Sequence, residues 1–307
     1  MPLVREGGQR YETADGGGLG VSRPVPRKEW SVGIYAGDSP LRLAPAAGVR
    51  NPVLTRRDVT DVPALFVADP FMLRRAGGWF MFFEVMNAET GRGEIGLAES
   101  ADGLAWRYRR IVLSEPFHLS YPHLFEFGGE YYMIPETLGL GRVELYKARA
   151  FPEGWERAGT LMEGVCADPT VFRHAGRWWM YACTAPGPHD TLCLYHADEL
   201  AGPWSPHPRS PIVAGDARRA RPAGRVVSHG GRLIRFAQDC SPIYGTQVRA
   251  FVVTSLTAED YSEEELPESP VLRPGEEAWN GCRMHHVDAH SEGGGRWIAC
   301  VDGDAKG

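Results

Sequence analysis

Four short segments of this chain place a side chain with acid–base or anion-binding chemistry directly before a proline. They are Asp69 in AlaAspPro (68–70), Tyr121 in SerTyrPro (120–122), Asp168 in AlaAspPro (167–169) and Arg221 in AlaArgPro (220–222). A fifth, less regular copy, MetHisHisValAspAlaHis (284–290), contributes His285, His286, Asp288 and His290. A second set keeps a fixed offset: Glu84, Glu136, Cys183, Gln238 and Asp302 lie five residues beyond Trp79, Tyr131, Trp178, Leu233 and Trp297. Paired carboxylates can divide acid and base roles in proton transfer. A guanidinium grips carboxylate or phosphate bidentately, and imidazoles beside a carboxylate suit a transition metal.

Groups this far apart in sequence meet only if the fold repeats. Asp69 to Trp79, Tyr121 to Tyr131 and Asp168 to Trp178 are each ten residues, and Arg221 to Leu233 is twelve, the extra two falling in a glycine turn. A chance run of prolines would not hold these offsets, so the chain is read as a repeat protein. Within each copy, aromatic-rich runs such as PheMetLeu and TrpPheMetPhePhe flank AlaGlyGly, the pattern of a β-hairpin. Third and fourth strands follow, as at 94–99 and 110–113, so each copy is one four-stranded antiparallel blade. Five such blades around an axis make an all-β, five-bladed β-propeller.

The last copy reaches Asp302 with sequence for its two inner strands and none for its outer pair. The expected completion comes from the N-terminal side, TrpSerValGlyIleTyrAla (30–36) and ValLeuThrArgArg (53–57). Residues 29–307 are read as one propeller domain, and residues 1–28, rich in glycine and charge, as a disordered segment.

With 43% hydrophobic residues in 307, the chain can bury the core that such a domain needs. A net charge of -6, without a basic stripe interleaved with aromatics, argues against a nucleic-acid partner. No run approaches membrane-helix length and the N-terminus lacks a signal-peptide pattern, so the expectation is a cytoplasmic monomer with no membrane partner. The six cysteines form no CxxC pair and read as free thiols. Cys183 and Cys240 lack an assured basic partner, so neither reads as a nucleophile. Trp106, Trp155 and Trp204, at matching places before the fourth strand, read as packing anchors rather than sugar platforms.

In a propeller the innermost strands begin at one mouth of the central channel. Asp69, Tyr121, Asp168, Arg221 and His285 or His286 are therefore expected to share a well with Glu84, Glu136, Cys183, Gln238 and Asp302. The plainer reading of Asp-Pro is a turn whose carboxylate accepts nearby amides. Against it, the position changes from Asp to Tyr to Arg between blades, whereas a purely structural role would favour one residue type.

ValAlaAspProPheMetLeuArgArgAlaGlyGlyTrpPheMetPhePhe and AlaAspProThrValPhe resemble the first- and third-blade motifs of glycoside hydrolase family 43, the arabinanase and β-xylosidase propellers. The resemblance implies Asp69 as general base and Asp168 as the aspartate that orients and tunes the acid. That family's acid is a glutamate opening blade four, where this chain has Arg221, and a guanidinium stays protonated. Either another carboxyl substitutes, Glu136 or Glu84, or the well does different chemistry. Arg221 and Arg225 would suit an anionic group of a substrate, or an ion pair with Asp69 or Asp168.

A longer likeness runs from Trp30 onward. GluProPheHisLeuSerTyrPro, TyrTyrMetIleProGlu, ArgProAlaGlyArgVal, ArgPheAlaGlnAspCys, TyrGlyThrGlnValArgAlaPhe and MetHisHisValAspAlaHis resemble the N-terminal domain of glucosamine inositolphosphorylceramide transferases, found also alone in bacteria. This resemblance implies a carbohydrate-associated propeller of a bacterial protein. Its implied signature residues are His118, Tyr121, Glu136, Arg221, Gln238, Asp239, His285, His286 and Asp288.

Two function classes result. One is a glycosidase-like enzyme acting on a glycoside or polyhydroxylated small molecule, with Asp69, Asp168 and Glu136 catalytic. Glu84, His118, Tyr121, Arg221, Arg225, Gln238, Asp239, His285 and Asp288 would then bind substrate. The other is a non-hydrolytic enzyme or carbohydrate-binding module on the same scaffold. No cofactor is required; calcium or zinc in the channel, held by His286 and His290, is the metal alternative.

Overall fold

The computed structural model describes residues 29–306 and shows the five blades expected from the repeat. The segment 1–28, expected to be disordered, lies outside the described residues. Blade five takes its third and fourth strands from the start of the described chain, β1 (Trp30–Ser39) and β2 (Arg42–Pro45). Blade one is β3 (Ala64–Arg75), β4 (Gly78–Asn87), β5 (Arg92–Ser100) and β6 (Arg107–Leu113). Blade two is β7 (Ser120–Phe127), β8 (Glu130–Glu136), β9 (Arg142–Ala150) and β10 (Glu153–Glu163). Blade three is β11 (Ala167–His174), β12 (Arg177–Cys183), β13 (Leu192–Ala197) and β14 (Ser205–Pro206). In blade four the inner strand is broken into β15 (Arg221–Pro222) and β16 (Val227–His229), followed by β17 (Arg232–Asp239), β18 (Gln247–Leu256) and β19 (Tyr261–Glu265). Blade five supplies its own inner pair, β20 (Val287–Gly293) and β21 (Arg296–Asp304).

The closing sheet runs β2-β1-β21-β20, with Trp30 opposite Asp304 and Gly37 opposite Trp297. The outermost strand is therefore 42–45, not the expected 53–57. Leu54 makes only an isolated bridge to Val32, because the tight hairpin at 40–41 lets the chain reverse immediately.

Burial follows from the blade geometry. Each sheet has apolar residues on both faces, and they pack into clusters between neighbouring blades. Phe71, Phe82 and Leu97 of blade one meet Tyr121, Leu124 and Met133 of blade two, for example. Val32, Ile34 and Cys300 of blade five meet Val67, Met81 and Phe83 of blade one. Trp106, Trp155 and Trp204 each donate from Nε1 to a carbonyl three or four residues back, on Gly103, Pro152 and Leu200. The indole thereby pins the turn that launches each fourth strand. All six cysteines are free thiols, and burial pushes the Cys183 thiol up to about 11.

Candidate functional site

The polar residue before each proline reaches the channel through a backbone irregularity. In the inner strands of blades one to three the register slips between Ala68 and Phe71, Ser120 and His123, and Ala167 and Thr170. Asp69, Tyr121 and Asp168 occupy the left-handed region there, with φ of 51°, 45° and 52°. Such backbone is costly for a side-chain-bearing residue, on the order of 1–3 kcal/mol each, and recurs where a bulge aims a side chain. Arg221 is absent from this left-handed set. Blade four makes its irregularity at Gly224, φ 125°, where any Cβ would strike the Val287 carbonyl.

The bulges also leave backbone amides for carboxylates of the preceding blade. Asp302 accepts from the Asp69 amide at 3.2 Å, Asp69 from the Tyr121 amide at 3.3 Å, and Glu136 from the Asp168 amide at 3.1 Å. Asp302 also accepts from the amides of His285 and His286. The side chains at the mouth therefore stitch blade five to one, one to two and two to three.

Arg221 sits at the centre of the acidic wall. It donates from Nε to Asp168 Oδ2 at 2.5 Å and from Nη2 to Glu136 Oε2 at 3.3 Å. Burial opposes its charge, but Asp168, Tyr244 and Glu136 outweigh that and hold its pKa well above the ordinary value. Gln238 donates to the same Asp168 oxygen at 2.8 Å. The third arm of the guanidinium, Nη1, donates to His189 Nδ1 at 3.1 Å, and its plane lies 5.0 Å from the centre of the Tyr244 ring.

Opposite lies a carboxylate–imidazole–carboxylate line. His285 Nδ1 is 2.8 Å from Asp302 Oδ1, and its Nε2 is 3.5 Å from Asp69 Oδ1. Burial works against an imidazolium here, yet the Asp302 contact and the Asp69 charge win and raise His285. Burial also raises Asp69, to about 7, with Asp302 and Asp168 adding to it against His285. Trp30 stacks on His285 at 4.1 Å between ring centres, and Tyr244 meets it edge-on at 5.3 Å.

The sequence-expected residues thus divide. Asp69, Glu136, Asp168, Arg221, Gln238 and His285 converge. Tyr121 lines the same channel, its hydroxyl 2.7 Å from Thr170 Oγ1 and accepting from the Gly224 amide at 2.8 Å. Glu84 faces His118 across 3.4 Å at the blade one to two boundary. Asp239 does not join them: it turns away to Gln247 and Arg249, at 2.9 and 2.8 Å. Arg225 is spent on Asp288 and on the carbonyls of Met72 and Leu124. Arg221 thus makes the ion pair with Asp168 that was the alternative to a ligand anion, and Arg225 pairs with Asp288 rather than with Asp69 or Asp168.

The expected metal pair does not converge. His290 Nε2 pairs with Asp288 Oδ2 at 2.9 Å beside Arg225, whereas His286 packs edge-on against Phe71 and Tyr121. Asp69, His285 and Asp302 do bring ligand atoms within 4.8 Å of one another. These residues fit a metal poorly, because Asp302 is already engaged by His285 Nδ1 and by three backbone amides. His189, Tyr244 and Trp30 were missed by the repeat. Two lie in loops outside the register and Trp30 opens the closing strand; beside Tyr244, Gly245 lies so close to His285 that a Cβ there would sit 2.8 Å from that of the histidine.

The family model described as glucosamine inositolphosphorylceramide transferase 1, N-terminal, matches residues 24–304. A relative of that name from Oryza sativa subsp. japonica is 37% identical over 92% of this chain and 41% of its own length. One from Arabidopsis thaliana is 35% identical over 90% and 39%. The chain thus spans about two fifths of the curated relatives it matches. Among solved structures, a GH43 protein from Bacillus licheniformis superposes with a TM-score of 0.58 at 19% identity, covering 81% of this chain and 50% of that one. That likeness speaks to fold alone.

Two expectations are corrected by these relatives. They are plant proteins, so the bacterial reading does not stand. They are also named as transferases of a ceramide lipid, a membrane component, and the cytoplasmic reading falls with that. It had rested on the start of a chain that corresponds to only part of its relatives. Among the described residues no helix is long and apolar enough to cross a membrane.

Proposed function

The chain belongs to the family of glucosamine inositolphosphorylceramide transferase 1 N-terminal domains, and from that premise we propose that its well holds the sugar or polyol headgroup of a glycolipid without hydrolysing it. The observation that carries this reading is Arg221 bridging Asp168 and Glu136. Inverting hydrolysis needs one carboxyl to protonate the leaving oxygen and another, roughly 6.5–9.5 Å away, to activate water. Here two of the three candidate carboxyls are ion-paired to one buried guanidinium, which occupies the oxygens a leaving group or water would have to meet. What remains is a wall of fixed acceptors and aromatic edges, the equipment of a binding site for hydroxyl-rich ligands.

Asp69 favours a second reading. Raised to about 7, it holds a proton part of the time near neutrality and could serve as an acid. One experiment separates the two. The purified chain is incubated with aryl glycosides and, in parallel, titrated calorimetrically with glucose, glucosamine and myo-inositol. Saturable binding with no aryl release supports recognition. Turnover abolished by both Asp69→Asn and Glu136→Gln would overturn it in favour of hydrolysis.

A further inference from the structure

The groups that form the two walls of the well are closed off from solvent. Asp168 and Arg221 on one side are 2% and 6% exposed, and His285 and Asp302 on the other are 3% and 0%. A ligand can meet them only if something above them moves. Tyr244 is the residue that lies across both walls: Arg221 Cζ is 5.0 Å from the centre of its ring, and the His285 ring meets it edge-on at 5.3 Å. It belongs to the segment 240–246, which joins the end of β17 at Asp239 to the start of β18 at Gln247 and so stands at the same end of the channel as Gln238.

The segment is fixed at its ends and lightly held between them. The Cys240 amide donates to the Ala217 carbonyl at 2.9 Å, and the Thr246 amide to the Asp239 carbonyl at 2.8 Å. Arg283 Nη1 donates to the Tyr244 carbonyl at 3.3 Å. Ile243, the apolar residue at the tip, is 49% exposed, so burial there adds little to keep the segment down. Gly245 marks how closely it presses on the well. Its φ is 70°, and a Cβ there would lie 2.8 Å from that of His285. From the facing side, the loop between β12 and β13 brings His189 to the Tyr244 ring at 5.2 Å between ring centres. His189 adopts the left-handed region, φ 59°, a strain on the order of 1–3 kcal/mol.

We infer that residues 240–246 form a lid over the well, which swings Tyr244 away from Arg221 and His285 to admit a ligand and closes against His189. The lid follows from contacts within the chain, whatever ligand the well takes, so it is tested without one.

Cys240, at the base of the segment, reports the movement. It is 8% exposed, burial pushes its thiol up to about 12, and the Gly245 amide lies against its sulfur when the segment is down. Opening returns the thiol toward the ordinary value of about 8.5, where alkylation proceeds through the thiolate. The whole chain is treated with iodoacetamide at about pH 8 over a series of urea concentrations below the unfolding transition, and peptide mass spectrometry follows each cysteine. Cys240 is expected to react at a rate independent of urea and at least tenfold faster than Cys300, which is fully buried in blade five and reports global unfolding. Tyr244→Ala removes the ring across the well, and Gly245→Ala adds a methyl that meets His285 only when the segment is down. Each is expected to raise the Cys240 rate at least tenfold, with Cys300 unchanged as the fold control. Reaction of Cys240 in step with Cys300 as urea rises, reaction at the rate of the fully unfolded chain, or indifference to both variants would overturn the lid. Each of those results leaves the sugar reading to its own titration.

Discussion

Arg221 of blade four and Asp168 of blade three form a charge-assisted contact at 2.5 Å in which both side chains are almost entirely buried. Glu136 of blade two shares the same guanidinium at 3.3 Å. Three blades are thereby joined by one cation, and truncating it would leave two carboxylates in the interior without a counter-charge. Arg221→Met should therefore cost about 3–5 kcal/mol, the range for breaking a buried pair from one side. Urea denaturation checks this, and combining the change with Asp168→Asn and Glu136→Gln should recover more than half of the loss. Full additivity of the three would contradict the coupling.

The raised Asp69 carboxyl makes stability fall with rising pH. A carboxyl at about 7 in the folded state, against about 3.9 unfolded, binds more protons when folded between those values. Its contribution is fully present below about pH 4 and is lost as pH climbs through 7. Asp69→Asn should flatten that decline, so the variant gains on the parent chain at pH 8 relative to pH 5. Denaturation midpoints at the two pH values measure it, and parallel pH profiles would refute the assignment.

Tyr121 carries hydrogen bonds that its ring position alone does not require. Tyr121→Phe removes the acceptor of the Gly224 amide and the partner of Thr170, both buried. A loss of about 1–3 kcal/mol is expected from the unsatisfied groups. Because Tyr121 bridges to Gly224 in blade four, the Gly224 amide should also exchange with deuterium faster in the variant.

Closure by β1 should be essential. Ile34 is fully buried between blades five and one, so Ile34→Ala should cost about 2–5 kcal/mol. Deleting residues 30–57 should give no cooperative melt at all; a truncated chain that still melts sharply would sink the closure scheme.

Metal dependence is expected to be absent. Asp302, one of the three residues whose ligand atoms come together, is taken up by His285 Nδ1 and by three backbone amides. Elemental analysis of the purified chain should find no stoichiometric calcium or zinc, and EDTA should leave the melting temperature unchanged.

The repeat made most of the architecture readable, because a large apolar residue ten residues beyond the polar-proline step in blades one to three, and twelve in blade four, marks the same strand. It also placed Asp69, Asp168 and Arg221 at one mouth, since equivalent positions of a propeller must converge. The identity of the fourth strand of blade five was not readable: 42–45 is short and largely exposed, while 53–57 looks more strand-like. Arg225, Asp239 and His290 were misplaced for a different reason. Strand alternation gives a side chain's face, but which buried carboxylate a guanidinium reaches depends on distances across blades. His189 and Tyr244 stand in loops whose length varies between copies, so no register pointed to them.

The pairing of β1 with β21 has a consequence in time. Trp30–Ser39 leaves the ribosome before blades one to four, yet its partner Arg296–Asp304 is made more than 250 residues later. At about 5–20 residues per second this is an interval on the order of tens of seconds. Through it an apolar strand must wait without the neighbour that covers it, while blades one to four can form behind it. The well, whose Asp302 and His285 belong to the last blade, comes into being only when that wait ends, so the candidate site assembles in the same final step that closes the ring.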